Sequence, residues 1–277
     1  MRMNMSAASN IYSLLGRLLP ERVISAPSRV HVRRLYTGVG MPAQRAALGE
    51  SFSLVSLLDE APDLQGVYAD LRRQALAGSV AALNDLGWIW LNGRYWRADP
   101  VLAGHLLRMA ALQGSAVAWF NLGQQYYFGK GVNISYASAA EYYRHAFEAG
   151  LAEAAAALGD LYEEETCDSD EEPNPWCVDL GLACEWFLRG AQRGDARCRF
   201  EAGYRLLHGQ QMPADSRAGV YWLELAAVAG VVQAAEELAV HFQEGGNELR
   251  YLFWRDQAIG LGSPLALTMK LEDQLRP

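Results

Sequence analysis

Glycine recurs at a fixed interval along this sequence, and that interval constrains the fold more than any motif does. Gly78, Gly114 and Gly150 lie 36 residues apart, Gly194 follows after 44, and Gly230 after another 36. A second column keeps the same step: Leu86-Gly87, Leu122-Gly123, Leu158-Gly159, Ala202-Gly203 and Leu238-Ala239. A third column runs Gly93, Gly129, Gly209, Gly245, and a bulky fourth runs Leu106, Tyr142, Trp186, Trp222, Trp254. Small residues at Ala110, Ala146, Gly190, Ala226 and Ala258 move with them. A period of this length marks a repeat architecture, in which each unit is one supersecondary element that cannot bury its apolar face alone.

Within a unit the pattern predicts two amphipathic helices. In the second unit helix A covers Ala116 to Phe128 and is broken by Phe128-Gly129-Lys130-Gly131. Ser135 then caps helix B, which runs to about Ala149 before Gly150 ends it. Apolar residues make up 51% of the 277 residues, enough to give such a stack a continuous core. No stretch is long and apolar enough to read as a membrane-spanning helix.

The segment 118–150, AWFNLGQQYYFGKGVNISYASAAEYYRHAFEAG, resembles the Sel-one-like repeat, a solenoid relative of the tetratricopeptide repeat. Residues 77–114, 115–150, 151–194, 195–230 and 231–262 match with falling fidelity. The Gly-x-Gly-Val turn is intact only at Gly129 to Val132, and Gly209-Gln210-Gln211-Met212 departs from it in the fourth unit. The resemblance implies an all-α, right-handed superhelical solenoid of antiparallel helix pairs that holds protein partners, often as an adaptor in bacterial assemblies. Upstream, 42–78 reads as a cryptic or capping helical pair, with its second helix from Leu64 to Ala77. Five repeats occupy 79–262, and 263–277 reads as a C-terminal capping helix.

Charge is unevenly spread. The net charge is −8, yet residues 1–49 carry seven Arg against one acid, about +6, on a body of about −14. An acidic chain of pI about 5.2 is not expected to bind nucleic acid. The basic leader, 1–41, lacks a secretory signal's architecture. It reads as a partly ordered segment whose short helix caps the body. An organellar transit peptide, a membrane-surface or secretion-recognition segment, or an autoinhibitory segment lying on the acidic groove remain open. A cytoplasmic location is expected, with no stable membrane insertion.

The third unit is eight residues longer than its neighbours, and the excess lies at 163–178 with seven acids between Glu163 and Glu172. Three readings stay open for Asp168, Asp170, Glu171, Glu172 and Trp176: a solvated loop, a docking site for a basic partner, or a cation site also using Asp179. Cys167 and Cys177 flank the loop as free thiols or a disulfide. Cys184 and Cys198 read as buried apolar residues. The five histidines and the carboxylates form no zinc-protease, nucleophile-elbow or phosphate-loop motif, so no catalytic, metal or cofactor site is expected.

The expected function is therefore non-enzymatic binding of a partner peptide or helix in a concave groove lined by the A helices. Offsets from the core columns select Asn84, Trp88, Phe120, Gln124, Tyr127 and Phe128, then Asp160, Glu163 and Glu164, then Arg197, Phe200, Tyr204 and His208. That surface is expected to be aromatic at its two ends and acidic in the middle, for a partner with a basic or apolar-anchored segment. An immunity- or inhibitor-type protein capping a basic target is the alternative.

Overall fold

The computed structural model describes residues 5–24, 58–59, 63–163 and 178–275. These form thirteen α-helices and no strand. They fall into two compact units, divided between Leu151 and Ala152.

The first unit holds α1 (Met5–Leu18), α2 (Leu64–Leu76), α3 (Val80–Asn92), α4 (Pro100–Leu112), α5 (Ala116–Tyr127) and α6 (Tyr136–Glu148). The second holds α7 (Ala154–Glu163), α8 (Leu180–Gln192), α9 (Ala196–His208), α10 (Ser216–Val228), α11 (Val232–Glu244), α12 (Glu248–Gly260) and α13 (Pro264–Leu275). Each helix packs on the next within its unit. The A helices also touch one another, α3 on α5 and α7 on α9 on α11.

The glycine columns have two separate physical causes. The Gly78 column ends the B helices. Gly114, for example, takes φ 97°, a left-handed conformation that a side chain disfavours, and lets Ser115 N–H reach back to the Ala110 carbonyl. The Leu-Gly column instead makes room. A Cβ on Gly123 would lie 2.4 Å from the Tyr143 ring, and one on Gly159 2.5 Å from the Phe187 ring. On Gly87 and Gly203 it would meet Leu107 and Leu223 at 2.7 and 2.8 Å. The B helix thus sets one large side chain directly on the backbone of its A helix. The leucines of the same column, Leu86, Leu122, Leu158 and Leu238, are fully buried beside that contact.

Side-chain caps fix where the helices begin. Ser79, Ser115 and Asp195 cap A helices, while Asp99, Ser135, Asp179, Asp215 and Asn247 cap B helices. The divergent turn of the fourth repeat is informative. Gln211 holds φ 61° where the second repeat has Gly131, and its side-chain oxygen accepts from the Arg205 guanidinium. The hydrogen bond offsets the backbone cost of a non-glycine residue there.

The N-terminal segment joins the first unit's core. Leu15 and Leu19 are buried, the Tyr68 hydroxyl donates to the Pro20 carbonyl at 2.5 Å, and Arg72 donates to the Gly16 and Leu19 carbonyls. Residues 5–24 therefore pack on α2, and Val23 N–H binds the Gln65 side chain. At the other end, Tyr251 and Arg255 of α12 both bind Asp273 of α13. Cys184 and Cys198 are free and buried, as their helical positions suggested. Residues 42–57 of the expected capping pair lie outside the described residues.

Two acids meet where α7 and α9 begin. Asp195 is buried and accepts the Cys198 N–H at 2.7 Å, while Glu153 sits just ahead of α7. Burial, reinforced by the Asp195 charge, pushes the Glu153 carboxyl up from 4.5 to about 7.

Two predictions follow from this packing. Gly159→Ala should cost about 1–3 kcal/mol, because the added methyl must displace the buried Phe187 ring; urea unfolding by circular dichroism reads it. The Glu153 effect runs with pH. Unfolded Glu153 ionises near 4.5 and folded Glu153 near 7, so the fold holds the extra proton between them and loses stability as pH rises through that window. Glu153→Gln should match wild type near pH 4, below both ionisations, and be more stable at pH 8, by at most about 3 kcal/mol. Equal melting-temperature differences at both pH values would refute the assignment.

Candidate protein-interaction faces

In the first unit the A-helix surface is built from α3, α5 and the turn after α5. Trp88 and Asn92 stand one helical turn apart on α3, and the Asn92 amide donates to the Trp88 carbonyl at 2.8 Å. Phe120, Gln124 and Tyr127 follow on α5 and Phe128 just after it, all half-buried. The Phe120 ring lies 5.2 Å from Tyr143; Tyr127 meets Phe128 at 4.6 Å and Tyr136 at 5.4 Å, both edge to face.

Asn84 is not available to a partner as expected. It is buried, and its oxygen accepts from buried Asn121 at 3.0 Å, so it ties α3 to α5. Its offset from the Leu-Gly column places it on the seam between neighbouring A helices rather than on their open face. Trp88 also gives part of its ring to the first unit's core.

Lys130 closes this surface. Its ammonium donates to the Asn92 side-chain oxygen at 2.8 Å and stands 5.7 Å from the Phe128 ring. Burial lowers its pKa from the ordinary lysine value. In the sequence Lys130 reads only as part of a turn. The usable signal was the scarcity of lysine, 2 residues against 22 arginines, with this one beside the selected Phe128.

In the second unit the described acids of the expected acidic middle, Asp160 and Glu163, are paired with arginines. Asp160 of α7 takes two hydrogen bonds from Arg197 of α9, at 2.6 and 2.7 Å. Glu163 pairs with Arg205 at 2.5 Å, and Glu201 pairs with the same guanidinium at 3.1 Å. Arg205 is buried and stacks over the Phe187 ring at 4.7 Å. The neighbouring carboxylates hold its pKa above the ordinary arginine value despite the opposing effect of burial. His208 meets Glu237 of α11 at 3.1 Å. These contacts link α7, α9 and α11 in one polar ladder.

The correction has a plain cause. Asp160 and Glu163 are acids in the sequence, but their partners lie 37 and 42 residues away, one repeat on. Arg205 and Glu237 were missed for the same reason, with acids and bases at ladder positions in successive repeats as the available signal; Glu201 pairs with Arg205 one turn away on the same helix.

The aromatic stripe on α9 is present. Phe200, Tyr204 and His208 follow at four-residue steps, with ring centroids 5.9 and 4.5 Å apart. Tyr204 is half-buried and His208 exposed, while Phe200 leans on the second unit's core. Glu164, Asp168, Asp170, Glu171, Glu172 and Trp176, with Cys167 and Cys177, lie outside the described residues. Among the described residues no cluster of three or more His, Cys, Asp or Glu is placed to hold a metal, and no helix is long and apolar enough to cross a membrane.

Comparison with known proteins agrees with this architecture. A Sel1 repeat protein from Oxalobacter formigenes superposes with a TM-score of 0.60 at 26% identity, over 80% of this chain and 89% of that one. A protective antigen present in uropathogenic Escherichia coli strains, displaying an SLR fold, gives 0.60 at 27% identity over 71% of this chain. The alignment spans 41% of the antigen's length. No curated protein matches the sequence. The Sel1 repeat model matches residues 80–115, 116–151, 152–195 and 196–231; α11 and α12 form a further helix pair outside those matches. With more than half of its length matched, the chain belongs to the Sel1 repeat family.

Proposed function

We propose that this chain is a non-enzymatic scaffold that binds a segment of a partner protein on its A-helix faces. One observation carries the reading: in each unit aromatic side chains in the C-terminal half of an A helix, or just after it, are left only half-buried or exposed. These are Tyr127 and Phe128 in the first unit and Tyr204 with His208 in the second. Tyrosine and tryptophan offer large contact area at low entropic cost and recur at the centres of protein interfaces. The polar ladder holds α7, α9 and α11 in fixed register, so the face is preorganised and little ordering is left for binding to supply.

The partner segment is expected to be extended or helical, with apolar anchors that seat between the aromatic rings. On the second unit the surface offers paired charges rather than a field of free acid, so basic character in the partner is no longer required there.

The test is affinity capture from native lysate with wild type, Tyr127→Ala, Tyr204→Ala and the double variant, each confirmed folded by circular dichroism. A partner lost from either variant is expected, with each truncation weakening binding by about 1–2 kcal/mol, roughly five- to thirtyfold. A partner retained equally by wild type and the double variant would move the binding site off these faces. Inhibition of the captured partner's own activity at one-to-one stoichiometry would indicate an inhibitor rather than an adaptor.

A further inference from the structure

Among the described residues, the cation beside the first unit's A-helix face is paired with no acid. Arg197, Arg205 and Arg255 each contact one or more carboxylates in this structure. Lys130 does not. Among the described residues its ammonium has a single hydrogen-bond partner, the neutral Asn92 amide oxygen. An ammonium has three N–H donors, so two stay open to whatever lies beside them. Burial already costs this charge part of its hydration, and the aromatic face of Phe128 returns only part of it.

The site is built rather than incidental. Gln125 is buried, and its side-chain amide donates to the Lys130 carbonyl at 3.1 Å and to the Pro100 carbonyl at 2.9 Å, which fixes the turn that carries the lysine. Lys130 N–H in turn donates to the Gln125 carbonyl. Asn92 is fixed by its bond to the Trp88 carbonyl, so the lysine and the amide share one orientation at the end of the aromatic run. A fixed, partly desolvated ammonium beside apolar rings suits one ligand group well: a carboxylate carried on an apolar segment.

We infer that the Lys130–Asn92 corner, with Phe128 beside it, is a subsite for a carboxylate of the partner segment. The inference rests on the binding role given above and names its ligand chemistry for the first unit. It also reverses the charge expected there, since a net acidic chain presents a lone cation at this point. The carboxylate can belong to an Asp or Glu side chain or to a chain terminus, and the two sources are separable.

A synthetic random-peptide library, made once with free C-termini and once amidated, is selected on immobilised full-length protein, wild type against Lys130→Gln and Lys130→Arg. Wild type should enrich carboxylate-bearing peptides with an aromatic or aliphatic residue nearby. Enrichment in both libraries identifies a side-chain carboxylate, and enrichment only with free termini identifies a terminal one. Lys130→Gln should lose the preference by about tenfold or more, the loss of one charge-assisted hydrogen bond, and Lys130→Arg should keep most of it. Matching melting curves confirm that each variant is folded; if Lys130→Gln does not fold, Lys130→Met, which keeps the aliphatic stem, takes its place. Peptides enriched without carboxylate preference, or with a preference unchanged in Lys130→Gln, overturn the subsite while leaving the aromatic binding face intact. No enrichment over bare resin overturns both.

Discussion

The contact between a B-helix side chain and the bare backbone of its A helix is what the rest of this structure depends on. Leu107 on Gly87, Tyr143 on Gly123, Phe187 on Gly159 and Leu223 on Gly203 are four versions of one contact. Each brings two helices closer than a Cβ would permit and buries a large side chain at the point of approach. The large residue varies, and the absence of a side chain opposite it does not. In the next pair Ala239 takes the glycine position, and α11 also begins at Val231 without a side-chain cap.

That close approach fixes what the outward side of each A helix can do. With one face sealed against its B helix, the remaining positions meet the next A helix or lie open. The seam positions are polar. Asn84 binds Asn121 in the first unit, and Asp160–Arg197, Glu163–Arg205 and His208–Glu237 run through the second. Exposed pairs such as Asp160–Arg197 contribute little stability, about 0–1 kcal/mol. Their stronger effect is on register: a bidentate pair one repeat apart is satisfied in one alignment of neighbouring helices. Buried Arg205 differs, because removing either acid would leave part of its charge uncompensated beside Phe187.

How much of this was legible in the sequence depended on the range of the interaction. Helix boundaries were local. Ser135 capping helix B and Gly150 ending it could be read from residues within a turn of each other. The Leu-Gly and bulky columns were legible because the repeat prints the same contact several times. Pairing between repeats was not. Asp160 reads as one of a run of acids, and nothing adjacent to it names Arg197 as its neutralising partner. Asn84 shows the same limit in its simplest form: a correct helix and a correct face, but a rotation of part of a turn separates a seam residue from an open one. The N-terminal segment gave up its charge readily and its packing less so. A short helix capping the body was readable there, and Leu15 and Leu19 do enter the first unit's core, but no local signal named Tyr68 and Arg72 as the partners of its carbonyls.

Net charge is therefore a poor guide to what these faces recognise. The chain as a whole is acidic, yet the acids on α7 and α9 are already matched by arginines, and a matched pair gives a partner no net field to follow. On the first unit's A-helix face a partner meets instead a cation paired with an amide. Arginine fills the paired positions here because its planar fork satisfies two carboxylate oxygens, or two separate acids, at once. Lysine cannot do this, and Lys130 stands where the repeat supplies an amide rather than an acid. An unmatched charge held rigidly at the end of an aromatic run costs the isolated protein some stability. Recognition of an opposite charge there would return it, and in that way the local imbalance, rather than the total charge, sets the specificity of the face.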